Sequence, residues 1–176
     1  WEKHPRFIED IMRFLDNVLQ DFIDNAPEDF SRASYAAMRE RSVGLGVMGF
    51  HSFLQANKIP FEGAMAKVWN MRMFKHIRAE ADAASVTLAE ERGACPDAED
   101  FGIRERFSNK LSVAPTASIS IICGGASPGI EPVAANSFTH KTLSGSFNVR
   151  NPYLRQILAE KGKDDDETWS SITTHE

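Results

Sequence analysis

The stretch Ser-Val-Ala-Pro-Thr-Ala-Ser-Ile-Ser-Ile-Ile-Cys-Gly-Gly-Ala-Ser-Pro-Gly-Ile-Glu-Pro, residues 112–132, sets the terms on which this chain is read. A short apolar strand runs there into small hydroxyl residues and glycines, which is how a fold presents backbone N–H groups to an anion. Leu111 and Val113 are strand formers, and Pro115 ends the ladder because it has no N–H to give. Thr116, Ala117 and Ser118 are small enough for a phosphate to approach their backbone. As an isolated match, Ser and Thr after a strand more often cap the next turn. The phosphate-cradle reading therefore rests on the rest of the chain. Ser120, Gly124 and Gly125 are secondary candidates for shaping the same loop.

Upstream, Ile8, Ile11, Met12, Leu15, Val18, Leu19 and Phe22 recur at steps of three and four, the helical period, over residues 7–23. Pro27 stops that helix, and residues 28–39 read as a second, shorter one capped by Ser31. Residues 43–47, β-branched at both ends and interleaved with glycine, predict a buried strand that enters a helix over residues 49–56. Over residues 61–91, Met65, Trp69, Met73, Ile77, Ala81, Ala84 and Leu88 share one face with no internal proline. That predicts a long helix ended by Gly93, its Met- and Trp-bearing face, like Trp1, reading as core rather than as a cofactor box. Residues 96–109 read as a loop, 130–134 as a short strand, and 140–151 as an exposed Ser- and Gly-rich loop. A short helix opened by Pro152 ends near Gly162, and Asp164 to Glu167 reads as the capped start of a last helix.

Long helices alternating with short buried strands argue for an α/β class, with too few strands to close a sheet alone. With no repeat or linker in evidence, residues 1–176 read as one partial domain. The chain opens on Trp1 and ends without an evident stop, so it reads as an excerpt of something longer.

Four stretches in order carry a resemblance. Arg41-Ser-Val-Gly-Leu-Gly-Val-Met-Gly-Phe-His-Ser-Phe-Leu54, Glu91-Arg-Gly-Ala-Cys-Pro96, Ala114-Pro-Thr-Ala-Ser-Ile-Ser120 with Gly129-Ile-Glu-Pro132, and His140-Lys-Thr-Leu-Ser-Gly-Ser-Phe147 resemble the large, catalytic subunit of ribonucleotide reductase. The last resembles its class I bacterial members. The resemblance implies a ten-stranded α/β barrel, of which this chain would supply later strands and covering helices. It also implies that Pro115, Thr116, Ala117, Ser118 and Ile119 hold the phosphates of a ribonucleoside diphosphate.

For the whole enzyme the resemblance implies radical reduction of ribonucleoside to deoxyribonucleoside diphosphates. Its implied partners are the rest of the large subunit, a second large subunit in a homodimer, and a small subunit whose metal cofactor generates the radical. ATP and dNTP effectors and thioredoxin or glutaredoxin as reductant complete the set. The family's radical cysteine lies in an Asn-x-Cys-x-Glu segment that this chain does not contain, so no catalytic residue and no bound cofactor are expected here. Two alternatives stay open: a cobalamin-dependent reductase, which shares the Pro-Thr-x-Ser and Gly-Ile-Glu-Pro elements, and a non-catalytic split-gene piece that assembles with a complementing half.

Composition narrows the classes further. Twenty Lys and Arg against 25 Asp and Glu give a net charge of −5 with no basic stripe, which argues against a nucleic-acid partner. No run approaches the ~18 apolar residues of a membrane span and no signal peptide opens the chain, so a cytoplasmic home is the expectation. Cys95 and Cys123 form no Cys-x-x-Cys pair and read as reduced, structural thiols. The histidines show no ligand spacing, and no metal is expected. Gly44-Leu-Gly-Val-Met-Gly49 fits a dinucleotide pattern, but residues 35–42 are no strand, so close packing of a strand against a helix is the better reading. Glu131, between Ile130 and Pro132, is expected to be buried and hydrogen-bonded to loop backbone.

Overall fold

The apolar period of the first 25 residues folds as read. Helix α1 spans Phe7–Asn25 and ends at the residue pair before Pro27. The structure, a computed structural model, describes residues 3–142 and 145–175, with backbone only for 140–142. The expectation for Trp1, and Leu143 and Ser144 of the fourth family-like stretch, lie outside the described residues. A 3₁₀ turn, Glu28–Phe30, leads into α2, Ser31–Glu40. Ser31 is therefore the first helical residue and not a cap, since the turn ahead of it already engages the backbone. Then follow α3 (Phe50–Ala56), α4 (Ala64–Arg92), the single turn α5 (Pro96–Glu99), α6 (Ile119–Ile122), strands β1 (Ser137–Thr142) and β2 (Gly145–Arg150), α7 (Pro152–Glu160) and α8 (Asp166–His175).

The chain forms two compact units, Trp1–Val47 with Lys67–Ala114, and Met48–Ala66 with Pro115–Glu176. In the first, Met12 of α1 meets Ala81, Ala84 and Leu88 of α4 and Phe107, with Ile8, Leu15, Val43, Leu45 and Leu111 packed around them. Burying Met12, Leu88 and Phe107 contributes roughly 1.5–3 kcal/mol each. Only the C-terminal half of the predicted α4 stripe is core. Met65 is 54% exposed and Trp69, Met73 and Ile77 are half-buried, whereas Ala81, Ala84 and Leu88 join the core cluster. Residues 96–109 are not all loop: Pro96 opens α5, and Cys95, fully buried, receives the α5 amides of Ala98 and Glu99 on its carbonyl.

Residues 43–47 are half-buried rather than a buried strand. Leu45 makes one parallel bridge to Leu111, with Leu45 N donating to Lys110 O at 2.9 Å and Ser112 N to Leu45 O at 3.0 Å. The glycine pattern serves this contact. A Cβ on Gly46 would stand 2.1 Å from the Ser112 carbonyl oxygen, so the close approach is to strand backbone and not to a helix.

Four residues after Met12, Asp16 falls on the same α1 face and is fully buried among three arginines. Its Oδ1 accepts from Arg41 Nη2 at 2.7 Å and Arg106 Nε at 2.9 Å, and its Oδ2 accepts from Arg92 Nη1 at 2.7 Å. Arg41, left-handed at φ +45 where α2 ends, also donates to Gln20 Oε1, and Arg106 Nη1 donates to the carbonyls of Arg92 and Gly93. Burial alone would raise the Asp16 carboxyl, but hydrogen bonds from Arg106, Arg41 and Arg92 outweigh it and hold the group below the usual carboxylate range. One carboxylate thus ties α1, the α2 end, the α4 end and the 106 segment together.

In the second unit Phe50, Leu54 and Trp169 are buried. Where an exposed loop is expected over 140–151, β1 and β2 pair antiparallel from Ser137↔Arg150 to Thr142↔Gly145. The β2 residues are all exposed, so that strand buries no face that alternation could have revealed. Residues 130–134 form no strand. Asn151 caps α7, its Oδ1 accepting from Tyr153 N at 3.0 Å and Leu154 N at 3.4 Å while its Nδ2 donates to Asn136 Oδ1. Asn151→Ala should cost roughly 1 kcal/mol, read as faster hydrogen exchange confined to the first turn of α7. Equal exchange across the whole helix would count against the cap. Asp165 does the same for α8, accepting from Thr168 N at 2.8 Å.

Candidate functional site

Residues 112–130 carry no charged side chain, so any anion held there is held by backbone and hydroxyls. Thr116 sits at φ +52, a left-handed conformation that costs a β-branched residue about 1–2 kcal/mol. Two contacts hold it: its carbonyl accepts from Ser120 N at 2.9 Å and its Oγ1 accepts from Gly129 N at 2.8 Å. After Thr116 the chain turns straight into α6. Among the described residues the N–H groups of Ala117, Ser118 and Ile119 take no hydrogen bond, and all three residues are exposed. Ser118, the residue before α6, does not cap it with its side chain. These are the orphan donors of a helical start, and an oxyanion satisfies such donors.

The secondary candidates shape this turn. Ser120 is buried, and its Oγ donates to Ala117 O at 3.2 Å. Gly125 N and Ala126 N donate back to the Ser120 carbonyl, closing the helix through Gly124 and Gly125 at φ +80 and +74. Cys123 is exposed where it leaves α6, so the small-hydrophobe reading holds for Cys95 alone. Glu131 is exposed rather than buried, because no strand forms at 130–134 to cover it.

Residues 126–133 are stitched to the start of α3. Gly49, at φ +79, precedes α3 and offers no side-chain cap. Gly49 N donates to Ser127 O at 2.8 Å, Ser52 N to Ser127 Oγ at 3.0 Å, and Ser127 N to Ser52 Oγ at 2.9 Å. Val133 N donates to His51 Nδ1 at 3.1 Å, and the His51 ring meets Phe61 edge-on at 5.5 Å. Burial pushes the His51 imidazole below its ordinary value, which favours the neutral ring that can accept this bond. A cavity of about 520 Å³ lies elsewhere, in the first unit beside Phe101 and Ile103. Its cations are already paired, Arg78 Nε to Asp82 at 2.7 Å and Lys110 Nζ to Asp82 at 2.7 Å and to Glu105, which makes it a poor seat for a phosphate.

A parallel bridge at a glycine-rich segment and long helices on either side of it in sequence are elements of an α/β barrel. The chain belongs to the ribonucleotide reductase family: the family model described as "Ribonucleotide reductase, barrel domain" matches residues 1–105 and 97–176. Among curated relatives, the ribonucleoside-diphosphate reductase large subunit of Invertebrate iridescent virus 6 is 44% identical over 177 residues, covering 99% of this chain and 18% of that protein. The vitamin B12-dependent ribonucleoside-diphosphate reductase of Mycobacterium tuberculosis (strain CDC 1551 / Oshkosh) is 34% identical, covering 98% of this chain and 25% of that protein. Among solved structures, the class Id ribonucleotide reductase alpha subunit of Actinobacillus ureae superposes with a TM-score of 0.82 at 36% identity, over 96% of this chain and 30% of that one. The chain therefore spans less than a third of each of these proteins, and its helices, bridge and hairpin are part of an α/β barrel.

Proposed function

We propose that Pro115, Thr116, Ala117, Ser118 and Ile119 bind the phosphates of a ribonucleoside diphosphate, and that the chain acts within a ribonucleotide reductase large subunit reducing that substrate to the deoxyribonucleoside diphosphate. The observation that carries this is the turn in which Thr116, held at φ +52, leaves the N–H groups of Ala117, Ser118 and Ile119 exposed and unpaired among the described residues. Each hydrogen bond to a charged phosphate oxygen contributes roughly 1.5–3 kcal/mol. Pro115, with no N–H, adds no competing donor, and no side chain of residues 112–130 carries a charge, so recognition there rests on hydrogen-bonding geometry.

In this reading the chain contributes the phosphate loop and a section of barrel wall. The radical cysteine, its Asn and Glu companions and the reducing cysteines belong to other parts of the large subunit. The radical originates at the metal cofactor of a partner small subunit, a homodimer of large subunits binds ATP or dNTP effectors, and thioredoxin or glutaredoxin returns the electrons in the cytoplasm. The Lys-Thr-Leu-Ser-Gly-Ser stretch at 141–146 favours this class I reading. A cobalamin-dependent reductase is the second reading, favoured by the identity to the mycobacterial protein. The two part on what supplies the radical. No helix among the described residues is long and apolar enough to cross a membrane.

Ser118→Asp places a carboxylate beside the unpaired N–H groups, competing for them and repelling the phosphate. In the complete large subunit, the Kd for CDP by equilibrium dialysis should rise at least tenfold, about 1.4 kcal/mol. Unchanged CDP affinity would remove the loop from the substrate site.

A further inference from the structure

A β-branched residue does not stay left-handed unless its surroundings hold it there. At Thr116 one restraint is local, the Ser120 amide, and the other comes from Gly129, thirteen residues on. Gly129 is itself two residues beyond Ser127, which is fully buried and bound three times to the start of α3. Ser127 O and Oγ accept the amides of Gly49 and Ser52, doing for α3 what its glycine cap cannot. Ser52 Oγ, in a residue only 9% exposed, returns the favour by accepting Ser127 N. The pair is reciprocal, so neither hydroxyl is replaceable without orphaning a buried amide.

We infer that Ser52 and Ser127 are positioning residues for phosphate binding: their clasp sets the register of residues 127–129, and the Gly129 N–H then holds Thr116 Oγ1 so that Ala117, Ser118 and Ile119 face outward. The inference rests on the phosphate reading of that loop. It assigns work to two serines that touch no substrate and lie 75 residues apart in sequence. α3 becomes the anchor of the site, and the left-handed turn at Thr116 its adjustable part.

The test is a thermodynamic cycle on the complete large subunit, reading the Kd for radiolabelled CDP by equilibrium dialysis. Ser127→Ala should raise that Kd about tenfold, and Ser52→Ala, which serves if Ser127→Ala fails to fold, should do the same. In a Thr116→Gly background each change should raise it less than twofold, because glycine adopts φ +52 unaided and has no Oγ1 for Gly129 to hold. A merely structural role predicts the same loss in both backgrounds, and that result, or no loss in either, would overturn the inference. So would loss of CDP binding in Thr116→Gly alone, since the glycine keeps the three N–H groups without the clasp. Ser118→Asp separates the layers: if it leaves CDP binding intact, the phosphate reading and this inference fall together, whereas tight binding in both Ser127→Ala and Ser52→Ala, made in the unaltered Thr116 background, with loss in Ser118→Asp overturns the clasp only.

Discussion

Asp16→Asn should cost about 3–5 kcal/mol, the penalty for removing one partner of a buried ion cluster. The asparagine has the same shape, so the change isolates the charge. It leaves Arg41, Arg106 and the partly buried Arg92 facing one another without the carboxylate that now accepts from all three. In the complete large subunit the amides of α1 and of the α4 end should exchange hydrogen roughly a hundredfold faster or more, with no comparable change at α7. Protection equal to that of the parent would mean that the helices are held by Met12, Leu88 and Phe107 alone. The pH dependence has a definite sign. The folded Asp16 carboxyl titrates below its unfolded value of about 3.9, so its contribution is complete above that pH and is lost only as pH falls through the lower, folded value. Stability of this cluster should be flat across neutral and mildly acidic pH, and a loss near pH 6 would point to a different group.

Gly46→Ala should be nearly as damaging, about 3 kcal/mol, at the upper end of overpacking costs. The new methyl would meet the Ser112 carbonyl oxygen at 2.1 Å and the Val113 Cα at 3.1 Å, and neither is the movable end of a side chain. The bridge must open, freeing Leu45 N and Ser112 N and withdrawing Leu45 and Leu111 from the edge of the core. Gly44→Ala is the internal control: its Cβ would approach the Ser112 Cβ at 3.1 Å, a contact relieved by a shift of a few tenths of an ångström where the 2.1 Å approach at Gly46 is not. Hydrogen exchange at Leu45 and Ser112 should separate the two variants by more than tenfold, and equal behaviour would show that backbone approach is not what the glycines provide.

These two sites mark where reading residues in order stops working. α1, α4, α7 and α8 are legible because their signals are local: a 3.6-residue period, the capping sequence from Asp164 to Glu167, Pro152 at a first turn. The hairpin at 137–150 is not, because its β2 residues are exposed and the register depends on pairing across the ribbon. The N-terminal half of α4 misleads in the opposite direction, carrying an apolar stripe that is only half-buried or, at Met65, exposed. Asp16 looks like an ordinary polar position of an amphipathic helix until its partners, 25, 76 and 90 residues away, are in place. The Ser52–Ser127 pair is equally silent, since serines near a helix start and in a Gly-rich loop are common on their own.

By its sequence alone this chain is an α/β protein with four ordered reductase-like stretches and a Pro-Thr-Ala-Ser turn whose small residues can admit a phosphate. These properties follow from local chemistry: side-chain size, helical period and the missing N–H of Pro115. Only the tertiary structure decided that Thr116 is left-handed, that three amides beyond it are unpaired among the described residues, that Gly46 faces backbone, and that Asp16 gathers three arginines. Each of those depends on groups distant in sequence meeting within hydrogen-bond reach, and burial makes such meetings costly to leave unsatisfied while no short-range pattern announces them.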